Sequence, residues 1–189
     1  MENRSAADQQ TVRLAGLFSF VLILSGCYLA VNHLPLPTPQ EPTLTNRLVF
    51  TLRCLVVSMI PLMFGIARIA TWRFNDMENM GSNPVKEKLN YKAAVATKYL
   101  QNTVEQTILH VLFQLALSTF LPTEYLAVIP MFVFIFVIGR FLFFYGYMDE
   151  SKPVKRALGF ALTWVSNVLS FVSLIVFLFW RGPDYKLSG

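Results

Sequence analysis

Lys98-Tyr99-Leu100-Gln101-Asn102-Thr103-Val104-Glu105-Gln106 opens an apolar run that closes at Leu121. At about 3.6 residues per turn, Lys98, Asn102 and Glu105 share one helix face, and Gln106, His110 and Gln114 continue a polar stripe beside it. A carboxylate inside a lipid-spanning helix costs about 2.5–3.5 kcal/mol on insertion scales, so Glu105 is expected to face other helices or a wet cavity. Two roles meet that requirement: a polar pair holding helices together, or a ligand site.

Working outward, the 189 residues are 54% hydrophobic and 14% charged, and the apolar ones gather into long runs. This pattern predicts an all-α polytopic membrane protein with five transmembrane helices. The hydrophilic remainder is a 13-residue head, a short tail and loops of at most about 25 residues, which leaves no room for a second, soluble domain. The net charge of +5 is therefore read through loop topology, and no nucleic-acid motif accompanies it. Cys27 and Cys54 both lie in apolar runs, as small buried residues do, rather than at a disulfide or metal spacing.

Residues 1–13 form the head, and Leu14 to Val31 is an 18-residue apolar run behind Arg4 and Arg13. It is longer than a signal-peptide core, and Tyr28-Leu29-Ala30 lacks the small residue that cleavage prefers, so residues 14–34 are expected to be a retained span. Pro35, Pro37, Pro39 and Pro42 stiffen the linker over 35–46. Leu48 to Trp72 is the second span. Its Thr51, Cys54, Ser58, Pro61 and Gly65 recur at three- and four-residue steps as a small-residue contact face, with a kink expected at Pro61. Asn83-Pro84 reads as a cap and first helical position from which an amphipathic helix leads into the third span near Lys98, and Pro122 ends that span. Tyr125 to Tyr147 and Ala157 to Trp180 are the fourth and fifth spans, the last with a stripe of Thr163, Ser166, Ser170 and Ser173. Residues 182–189 are the tail.

With five spans, ten basic residues fall on the side of the head, the 73–98 connection and the 148–156 loop, against Arg47, Arg181 and Lys186 on the other. The positive-inside tendency then places the amino terminus in the cytosol. Glu105 lies seven residues inside Lys98, and Arg140 seven before Tyr147, so both sit about 10 Å deep on that side. Equal depth predicts that they pair. Arg68, Lys98, Lys155 and Arg156 lie shallower and make a cationic mouth suited to an anionic head group, or simply the cytosolic belt of positive charge. His110 is a lone histidine with no second ligand at metal spacing, and no metal is expected.

Lys98-x-x-x-Asn102-x-x-Glu105 and Arg140-x-x-Phe143-x-x-Gly146-Tyr147 resemble motifs of the membrane-associated proteins in eicosanoid and glutathione metabolism, the MAPEG family. The resemblance covers about residues 47–181, four of the five spans. The additional amino-terminal span, with Asn46-Arg47-Leu48-Val49-Phe50-Thr51-Leu52-Arg53-Cys54 and Ser118-Thr119-Phe120-Leu121-Pro122, resembles the mattrin-like branch of that family. Membership implies a homotrimer of four-helix subunits in the endomembrane system (endoplasmic reticulum, Golgi or lysosome) or the plasma membrane. It also implies glutathione as cofactor between neighbouring subunits, held by Lys98, Asn102, Glu105, Arg140 and Tyr147. Arg156 would be the catalytic residue that stabilises the thiolate nucleophile.

This chain departs from the family pattern. Lys98 stands where the family has arginine and lacks its bidentate fork, Phe143 stands in place of a frequent tyrosine, and Lys152-Pro153 changes the spacing to Arg156. Two readings follow. One is a non-enzymatic regulator or scaffold that binds lipid or other membrane proteins, favoured by the weakened motif and the additional span. The other is a glutathione-dependent transferase or peroxidase acting on lipophilic substrates, favoured by the intact Asn102 and Glu105.

Overall fold

The computed structural model describes residues 2–36, 38–39, 41, 43–75, 91–148 and 153–180. Among these it is all-α: α1 (Glu2–Asn32), α2 (Leu44–Ser58), α3 (Ile60–Asn75), α4 (Tyr91–Phe120), α5 (Val128–Met148) and α6 (Arg156–Trp180), with single 3-10 turns at Thr123–Tyr125 and Pro153–Lys155. The connection containing Asn83-Pro84 lies outside the described residues, and α4 is described from Tyr91.

Among the described residues, four segments are long and apolar enough to cross a bilayer: Ala6–Asn32, Leu44–Asn75, Thr123–Met148 and Arg156–Trp180. The second combines α2 and α3. Their junction falls where Pro61 cannot donate a backbone hydrogen bond, and the Met59 amide bonds instead to the Val56 carbonyl at 3.1 Å. Thr43 caps α2, its hydroxyl accepting from the Asn46 amide at 3.3 Å. The small-residue face behaves as its spacing predicts: Thr51, Ser58, Pro61 and Gly65 are buried. A Cβ on Gly65 would lie 3.2 Å from both Leu100 and Tyr99, so this face brings α3 against α4.

The fifth helix, α4, is too polar to stand among those four, yet it packs against α2, α3, α5 and α6. It is built inside out. Thr103, Gln106, Thr107, His110, Gln114 and Ser118 are buried, whereas Val104, Ile108, Leu109 and Leu112 are exposed on the outer surface. Lipid tails solvate leucine as well as a protein core does, so a membrane bundle gains from close van der Waals packing and from hydrogen bonds between helices. Accordingly α4 meets α6 through amides: Asn167 Nδ2 donates to Gln106 Oε1 at 3.0 Å, and Gln114 Nε2 to Ser170 Oγ at 3.0 Å. His110 stacks on Phe136 with ring centres 4.3 Å apart.

α5 and α6 approach most closely at glycines. A Cβ on Gly159 would strike the Phe143 backbone, and one on Gly146 would lie 2.5 Å from the Arg156 amide nitrogen. α1 docks on this pair and also meets the Pro153–Lys155 turn. Ile23 joins Phe132, Ile135 and Leu162 in an apolar cluster, and a Cβ on Gly26 would lie 3.2 Å from Met131 Sδ. Nearer its start, a Cβ on Gly16 would meet nothing within 4 Å.

Candidate functional site

Among the described residues, Arg140 is the largest fully buried side chain, with no exposed surface. Its position on α5 places the guanidinium between α4 and α6. One terminal nitrogen donates to Asn102 Oδ1 at 3.0 Å and to Thr163 Oγ1 at 3.5 Å, and the other to Thr103 Oγ1 at 2.8 Å. Each threonine can accept because its own proton goes to its helix backbone: Thr103 donates to the Tyr99 carbonyl at 2.7 Å, and Thr163 to the Phe160 carbonyl at 3.0 Å. The guanidinium also lies 4.4 Å from the ring centre of Phe143 and 5.5 Å from that of Tyr99. A cation withdrawn from water is thus solvated by neutral oxygens and aromatic faces.

The ion pair expected from equal depth does not form among the described residues. Glu105 is exposed on α4 and accepts from Gln101 Nε2 at 3.4 Å. Glu105 and Gln106 differ by about 100° around the helix. The face that turns inward carries the neutral amide, which Asn167 can satisfy, and the carboxylate stays on the outer surface. Lys98 is exposed as well.

The remaining site residues come together elsewhere. Asn102, Phe143, Tyr147 and Arg156 line a crevice of about 750 Å³, within the range of about 300–1,000 Å³ common to small-molecule sites. The Arg156 guanidinium sits over the Tyr147 ring at 4.7 Å. Ala157, Phe160, Trp164 and Val165 continue the wall along α6, and Asp8, Val12 and Gly16 of α1 close the opposite side. Of the six residues singled out in sequence, three face this crevice, Arg140 lies behind Asn102, and Lys98 and Glu105 are not among its lining. Thr103 and Asp8 were not legible as site residues: a threonine in an apolar run looks like a self-satisfied helix hydroxyl, and nothing in the α1 sequence reveals which helix it docks against. No group of three or more histidine, cysteine, aspartate or glutamate side chains able to hold a metal occurs among the described residues.

The model of the MAPEG family matches residues 51–176, about two thirds of the chain. The chain belongs to the MAPEG family. Its matched region runs from α2 into α6, so α1 lies outside the MAPEG match and supplies one wall of the crevice. Among curated proteins the chain is similar to transmembrane protein 79 of Mus musculus, 27% identical over 93% of this chain and 43% of the relative. Similarity to transmembrane protein 79 of Bos taurus is 27%, over 93% of this chain and 42% of the relative. The chain therefore spans less than half the length of these relatives. No solved structure matches.

Proposed function

We propose that this MAPEG protein is a non-catalytic membrane component that binds lipid in the membranes of the secretory pathway. The observation that carries the reading is the division of the glutathione-type motif. Asn102 is engaged by Arg140, while Lys98 and Glu105 lie on the outer face of α4, apart from the crevice. A glutathione site needs cations for two carboxylates and an acceptor for one ammonium. The crevice brings together one cation, Arg156, one carboxylate, Asp8, and an otherwise largely apolar lining; a single cation for two carboxylates supports an amphiphile over a small charged peptide.

One observation favours the second reading, a homotrimeric glutathione transferase or peroxidase. Glu105 is the fifteenth of the thirty residues of α4, near its midpoint, and is exposed. A carboxylate there calls for cover by a neighbouring subunit, and a site shared between subunits would reunite it with Lys98. Thermal melting with glutathione and with its methyl ester, beside conjugation to a chloronitroaromatic electrophile, separates the two. The binding reading expects no stabilisation and no conjugate. The enzyme reading expects conjugation and, at a hundredfold excess over Kd, stabilisation of about 2.7 kcal/mol.

A further inference from the structure

We propose that the crevice between α1 and α6 seats a zwitterionic phospholipid, its phosphate at Arg156 and its ammonium group at Asp8. The proposal rests on the binding reading above and names the ligand class. Asp8, Val12 and Gly16 line the crevice from α1 at four-residue steps, and Arg156, Phe160 and Trp164 line it from α6 at the same steps. Each series starts with a charge and runs eight residues, about 12 Å, into apolar surroundings. The two gradients point the same way, as do those of an amphiphile lying with its head at the mouth.

The charges at the mouth are opposite, and no ion pair joins them or engages either one among the described residues. The Arg156 guanidinium lies over the Tyr147 ring at 4.7 Å, a contact with the cation's face that leaves its N–H groups for a phosphate. Asp8 matches the ammonium group that a phosphocholine or phosphoethanolamine head carries a few bonds from its phosphate. A head group with a phosphate and no cation would leave Asp8 unpaired beside another negative charge. Deeper in, a Cβ on Gly16 would meet nothing within 4 Å, so α1 leaves space beside Gly16 for acyl chain. The second half, from Ile23 onward, is packed tight and ends the crevice.

The test is retention of lipid by the full-length protein, equilibrated in vesicles containing phosphatidylcholine, phosphatidylethanolamine and phosphatidylglycerol in equal parts, extracted in mild detergent and read by native mass spectrometry. The expected result is enrichment of the two zwitterionic lipids over phosphatidylglycerol on the order of tenfold. Asp8→Lys makes the mouth doubly cationic and is expected to invert the preference, a gain that unfolding cannot produce. Gly16→Leu fills the open space and is expected to lower total retained lipid while keeping the preference of the remainder. Equal retention of the three lipids by the wild type, or an unchanged preference in Asp8→Lys, would overturn the proposal. Glutathione conjugation by the same preparation would overturn the non-catalytic reading instead, and it is scored independently of lipid preference.

Discussion

Arg140 is held by groups that are each weak alone, and its neighbours are correspondingly sensitive. The guanidinium has three oxygen acceptors and two aromatic faces but no carboxylate among the described residues. Removing one acceptor leaves part of a buried cation unsatisfied, which costs about 1.5–3 kcal/mol for a hydrogen bond to a charged group. Asn102→Leu and Thr103→Val are each expected to lower detergent stability by that amount. Combining Asn102→Leu with Arg140→Met should be milder than the sum of the two, since cation and acceptor disappear together. A double-mutant cycle on thermal melting checks this, and additivity would show that the contact contributes little.

Among the helices, close approach divides the glycines into two kinds, and substitution separates them. Gly159→Ala places a methyl group against the Phe143 backbone and 2.6 Å from the Gly139 carbonyl, so α5 and α6 must part. Overpacking of this kind costs about 1–3 kcal/mol. Gly16→Ala meets open space and should be neutral or gain up to about 1 kcal/mol from helix propensity. Melting temperatures of the two variants are the check. Much of this plan was legible in the sequence. The small-residue steps from Thr51 to Gly65 and from Thr163 to Ser170 mark faces because period alone records them, and Pro61 and Pro122 mark where helices stop because proline lacks a donor. What the sequence could not settle was rotation and partnership. Glu105 and Gln106 are adjacent and polar, and only packing against Asn167 decides which one turns inward. The Asn102–Arg140 contact joins residues 38 apart in sequence, a relation that no local pattern encodes.

For the molecule as a whole, the unresolved demand is the outer face of α4, where Lys98, Gln101 and Glu105 are exposed beside Val104, Ile108 and Leu112. Self-association that covers this face is the expected answer, and native mass spectrometry in mild detergent should find three chains together. Glu105→Arg should shift that population towards single chains without abolishing folding; an unchanged trimer would place the contact elsewhere. The inside-out construction of α4 also bears on how the protein is made. A translocon that releases each nascent segment to lipid by its own hydrophobicity would accept α1, the α2–α3 unit, α5 and α6, but would hold α4 back, because its amides and histidine have no partners until α5 and α6 emerge. Chains truncated after Leu121, tagged with a glycosylation reporter, should therefore fail to integrate α4 efficiently, and chains extended through Trp180 should succeed. Biogenesis of this bundle is then a cooperative event, completed only when synthesis reaches α6.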